Sequence, residues 1–110
     1  MALTTNTQST AFGFYNRAHG VIVSDAGAAA ALTIPVGFLP RYVKFVNLTD
    51  RITNEWFEGM ASASSLNEAA AGTKTLETTN GIAVSATNNS FTLTAATMVA
   101  SKTFYWVAEG

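Results

Sequence analysis

RYVKFVNLTDRITNEWFE, residues 41–58, alternates apolar and polar side chains on both sides of the dipeptide Thr49-Asp50. A period of two marks half-buried strands, and a polar turn between two such runs marks a hairpin. Folding the segment symmetrically about the dipeptide sets Asn47 opposite Ile52, Phe45 opposite Asn54, Val43 opposite Trp56 and Arg41 opposite Glu58 on one face. The other face pairs Leu48 with Arg51, Val46 with Thr53, Lys44 with Glu55 and Tyr42 with Phe57. Both glutamates then stand opposite a cation. Directly opposed unlike charges stabilise a strand pair by roughly 0.2–1 kcal/mol each, and a slip of one residue loses both while turning every side chain to the wrong face.

Working outward, AFGFY from Ala11, GVIVS at 20–24 and ALTIP at 31–35 read as short strands bounded by Gly, Asp and Pro. The stretch GMASASSLNEAAAGT reads as a loop or as one short helix around Leu66–Ala71. A three-residue loop across Asn80-Gly81, with Gly81 in the left-handed conformation, sets Leu76 opposite Val84 and Thr78 opposite Ile82. A turn at Thr87-Asn88 then pairs Val84 with Phe91 and Ile82 with Leu93, so that Leu76, Ile82, Val84, Phe91 and Leu93 share an apolar face. The closing KTFYWVAE carries bulky residues on both faces and so belongs in a sheet interior or against a covered face. About eight short strands in a chain of 110 residues predict an all-β single domain, an antiparallel sandwich or jelly-roll-like barrel over residues 11–110, preceded by a polar N-terminal arm, residues 1–10.

Charged residues make up 12% of the chain, about half the ~25% usual in soluble domains, while Thr, Ser, Ala and Asn are abundant. Such surfaces are cheap to desolvate, which suits a subunit of an assembly. A net charge of -1 with six scattered basic residues lacks the footprint of direct nucleic-acid binding. No cysteine is present, which removes disulfides and thiolate metal sites. The start MALTTNTQST has neither the basic nor the apolar region of a signal peptide, and no apolar run approaches the ~20 residues that span a bilayer, so no membrane partner is expected.

The combination of Glu55, Trp56, Phe57 and Glu58 invites a sugar-cleaving reading, which strand geometry opposes. Residues three apart on a strand point to opposite faces about 10 Å apart, whereas paired catalytic carboxylates face one cleft at about 5–9.5 Å. A non-catalytic carbohydrate-binding module would stack sugars on exposed aromatics such as Trp56, Tyr42, Phe57, Tyr105 or Trp106. Trp56, however, shares its face with Val43, Phe45 and Ile52 and is expected in the core. His19 is the only histidine and is read as a surface or turn residue, and no nucleophile, phosphate-loop, dinucleotide or EF-hand pattern occurs. The chain is read as a non-enzyme without cofactor or metal.

GFLPRYVKFVNLTDRITNEWFEGM (37–60), AAAGTKTLETTNGIAVS (69–85), SFTLTAA (90–96) and ASKTFYWVAEG (100–110) together resemble small virion structural proteins of tailed bacteriophages. The resemblance implies a capsid decoration or cement protein that bridges capsid subunits, with a head or tail fibre component as the alternative. It further implies a homotrimer, the major capsid protein as partner, and a place on the capsid surface of a virion assembled in the host cytoplasm. Tyr42 and Phe57, which face each other, the neighbouring Lys44 and Glu55, and Tyr105 are the expected contact residues. The polar arm is expected to order against a neighbouring subunit.

Overall fold

The computed structural model describes residues 16–110; the polar arm and AFGFY lie outside the described residues. Within them the strands are β1 (Arg17–Val23), β2 (Leu32–Pro35), β3 (Tyr42–Asn47), β4 (Ile52–Phe57), β5 (Ser64–Glu68), β6 (Lys74–Ser85), β7 (Ser90–Leu93) and β8 (Thr103–Glu109). All pair antiparallel in one sheet of order β1-β8-β3-β4-β5-β6-β7-β2, curled strongly into a half-barrel. The all-β class is thus as expected, and the architecture is a single sheet that packs on itself.

The β3–β4 hairpin has the register that the charge pairing selects, from Tyr42 opposite Phe57 to Asn47 opposite Ile52. Its turn is closed by the Asn47 side chain, whose Oδ1 accepts from the Asp50 amide at 3.0 Å. Arg51 completes the reversal at φ 57°. Val84 opposite Phe91 and Ile82 opposite Leu93 also pair as expected. β8 lies between β1 and β3, an interior place consistent with its bulky side chains.

Two expectations fail between residues 60 and 85. The stretch around Leu66 is neither loop nor helix but β5, and the chain does not reverse at Asn80-Gly81. β6 instead runs on through a wide bulge: Ser65 faces Glu77 while its neighbour Ser64 faces Ile82. Glu77 Oε1 holds the bulge by accepting from the amides of Asn80 at 2.8 Å and Thr79 at 3.1 Å. Gly81 is required there for space, not for a left-handed turn, because a Cβ at Gly81 would collide with the Ser64 carbonyl. Leu76 accordingly pairs with Leu66 and is exposed, so it does not join the apolar face of Ile82, Phe91 and Leu93. The bulge turns one strand through a corner, which a bulged strand does by bending and twisting locally.

The corner brings β6 and β7 over β3 and β8. Val43, Phe45, Ile82, Phe91, Leu93, Phe104 and Ala108 are fully buried between them, joined by Trp56 and Met98. Phe45 stacks on Phe104 at 5.2 Å and Phe91 meets Trp106 edge-on at 5.4 Å, within the separations at which aromatic pairs attract. The segment carrying Met98 is pinned by Ser24, whose Oγ donates to the Val99 carbonyl at 2.7 Å and accepts from the Lys102 amide at 2.9 Å. Trp56 is core, as its face in the hairpin requires.

Candidate functional site

Strand alternation and the observed registers define the outer, convex face row by row. One row runs Arg17, Glu109, Tyr42, Phe57; the next runs His19, Val107, Lys44, Glu55, Leu66, Leu76; a third runs Val21, Tyr105, Val46, Thr53. Leu48 lies beyond them, its amide bonded to the Thr103 carbonyl at 2.9 Å. All five residues expected from sequence to make contacts, Tyr42, Lys44, Glu55, Phe57 and Tyr105, therefore share this face. His19 is exposed here, as expected.

Tyr42 and Phe57 form a tilted pair with ring centroids 5.3 Å apart. The Tyr42 hydroxyl donates to Glu55 Oε2 at 2.7 Å, a diagonal bond that fixes the Tyr42 ring and engages the carboxylate expected to pair with Lys44. Burial, then this hydrogen bond and the charges of Glu55 and Glu109, hold the Tyr42 phenol well above its usual range, so it remains a donor. Phe57 is 46% exposed and Tyr105 45%. Tyr105 stands apart from the pair, beside Val46 on the neighbouring strand, in an apolar group with Val21 at 58% exposure and Val23 at 72%.

Glu58 lies past the end of β4, its Oε2 3.4 Å from Arg41, with both side chains about half exposed at 50% and 49%. The two glutamates do not converge on a cleft. Among the described residues no group of three or more His, Asp or Glu side chains is placed to hold a metal ion. No helix among them is long and apolar enough to cross a membrane.

Sequence reading missed two features. The first is the group of Val21 and Val23 with Tyr105, hidden because the strand order that joins β1 to β8 closes across almost the whole chain. The second lies on the concave face, where a cavity of about 280 Å³ is lined by Phe45, Asn47, Asp50, Ile52, Asn54, Asn67, Glu77, Asn80, Ala96, Thr97 and Val99. Asn54, only 6% exposed, accepts through Oδ1 from Ser65 Oγ and from Asn67 Nδ2, each at 2.9 Å. Asn47 Nδ2 donates to Asp50 Oδ2 at 2.9 Å, and Lys102 Nζ sits 3.0 Å from Asp50 Oδ1. These bonds hold the Asp50 carboxyl below its ordinary range, the Lys102 contact first. Backbone amides of Asn80 and Thr79 do the same for Glu77. The sequence signal was present in the hairpin register, which already set Asn47 and Asn54 on the inner face.

No family model, no curated protein and no solved structure matches the chain.

Proposed function

We propose that the chain is a non-catalytic virion structural protein, a decoration or cement subunit that stabilises a bacteriophage capsid by bridging its subunits. The observation that carries this reading is the convex face, where Tyr105 stands exposed in a group with Val21 and Val23, and Phe57 stands exposed beside Tyr42 across the row of His19, Lys44 and Glu55, on a molecule with few charges. Contiguous exposed apolar surface marks contact sites, and exposed aromatics give the largest contact energy for the least ordering cost. The resemblance of residues 37–110 to small phage virion proteins supplies the setting. In it the chain associates with copies of itself as a trimer and with the major capsid protein at the capsid surface. Many copies then multiply modest contacts into shell stability.

Light scattering on the purified full chain tests self-association, and binding to phage heads that lack it tests the capsid partner. Trimers and saturable head binding are the expected results. Phe57→Glu and Tyr105→Glu should each weaken association by about 2 kcal/mol or more, the scale of an interface hot spot, without altering the β-sheet circular dichroism. A wild-type chain that is monomeric at all concentrations and ignores phage heads overturns the reading.

A further inference from the structure

We infer that the concave cavity between β3, β4, the bulge of β6 and residues 96–99 is a binding site for a neutral polyhydroxylated ligand, a single sugar ring or a comparable polyol. The inference is independent of the contact reading, since the cavity opens on the face opposite the convex rows.

The groups that remain available decide the ligand class. Asn54 has its carbonyl oxygen saturated by Ser65 and Asn67, which leaves its amide nitrogen as the donor it presents to the cavity it lines. Asn67 uses one N–H of its side-chain amide on Asn54 and keeps its carbonyl oxygen as an acceptor. Glu77 commits Oε1 to the bulge amides and retains Oε2. The exposed Asn80 adds a side-chain amide with both a donor and an acceptor.

A divalent cation is disfavoured because an amide donor faces the space and one uncommitted carboxylate is too few hard ligands. An anion is disfavoured because Glu77 stands in the wall and the nearby cation, Lys102, is held by Asp50. A purely apolar ligand would strand those polar groups. Hydroxyl groups both donate and accept, so vicinal hydroxyls can donate to Glu77 Oε2 and Asn67 Oδ1 while accepting from Asn54 Nδ2. Phe45, Ile52 and Val99 supply the apolar wall that the C–H face of a ring requires. At about 280 Å³ the space lies near the lower end for small-molecule sites, enough for one ring and not for a chain.

The test is a backbone-amide NMR titration of the full chain with glucose, galactose, mannose, rhamnose, N-acetylglucosamine and myo-inositol, with calcium chloride and sodium sulfate as separate arms. The expected result is saturable shifts for at least one of the sugars or inositol, confined to residues around Phe45, Asn54, Asn67, Asn80 and Thr97. Glu77→Gln and Asn80→Ala should each weaken that binding about tenfold, corresponding to ~1.4 kcal/mol. Asn80 is exposed and its backbone contacts survive truncation, so this variant stays informative if Glu77→Gln disturbs the bulge. Saturable shifts with calcium or sulfate alone, shifts that map to Tyr105 and Phe57 instead, or no saturable shift with any of the six would overturn the inference.

Discussion

The two halves of the concave face are built from the same kind of strand and differ in what they bury. Toward β8, β6 and β7 the inner side chains are Phe45, Phe104, Phe91, Ile82 and Leu93, all fully buried. At the middle of β4 and on β5 they are Asn54, Ser65 and Asn67, between Ile52 and Trp56 along β4, and Asn54 and Asn67 line a cavity with Asn47 and Ile52. Apolar contacts are non-directional and stabilise in proportion to the area removed from water, whereas a buried amide must first recover the hydrogen bonds it gave up. The aromatic half therefore carries the stability of the fold. The polar half is tolerated because the Asn54 carbonyl oxygen, the Ser65 hydroxyl and the Asn67 amide bond to one another, and it is the half that offers specific chemistry to a ligand.

The largest effect that can break this comparison is truncation in the aromatic half. Phe104 is fully buried and stacked on Phe45, and Phe104→Ala removes that contact and leaves a void. A loss of about 3–5 kcal/mol is expected, read from the denaturant midpoint at unchanged slope. A loss under ~1 kcal/mol would mean that the curl is held by something other than this core.

Asn54→Ala in the polar half should cost less, about 1–3 kcal/mol, because it leaves Ser65 Oγ and Asn67 Nδ2 without their shared acceptor. The sharper experiment is the pair Asn54→Leu with Ser65→Ala. Replacing both buried partners with apolar groups removes the need as well as the bond, the part-buried Asn67 amide can bond to water in place of Asn54, and near-neutral stability is expected. That outcome would show the polarity is not retained for folding. A double variant as unstable as Asn54→Ala would instead make the asparagine cluster a structural staple.

How far each half could be read from sequence follows from the range of the contacts that make it. The β3–β4 register was legible because Lys44 and Glu55, Arg41 and Glu58, Val43 and Trp56 stand opposite each other across one short turn, so symmetry and charge selected the same pairing, although only Arg41 and Glu58 form an ion pair and Glu55 bonds Tyr42 instead of Lys44. The partner of β8 was not legible: Tyr105 meets Val21 and Val46 only after the whole chain has folded. Gly81 misled for a different reason. Asn-Gly is a strong hairpin signal, but its glycine serves here for close approach to the Ser64 backbone, and nothing local distinguishes the two uses. Of the site residues, the inner position of Asn54 and the outer pairing of Tyr42 with Phe57 came with the register. The cavity did not, because Glu77 and Asn80 reach it only through the β6 bulge.

The smallest effect should appear on mild acidification, and the two halves differ in it by direction as well as size. The aromatic residues have nothing to protonate, whereas Asp50 and Glu77 both titrate below their ordinary values of 3.8 and 4.5. The native state therefore binds fewer protons than the unfolded chain at pH values between the depressed and the ordinary pKa. What the two carboxylates contribute is fully present above the ordinary values and is lost as pH falls through the depressed ones. Amide exchange should report this locally. The amides of Thr79 and Asn80, which donate to Glu77, and of Asp50, which donates to Asn47, should lose protection below about pH 4 while that of Phe104 holds. Glu77→Gln should abolish the pH dependence at Thr79 and Asn80 and leave that at Asp50. Equal loss of protection in both halves would mean that acid opens the sheet as one unit, and the cavity could not then be treated as a separable region of the molecule.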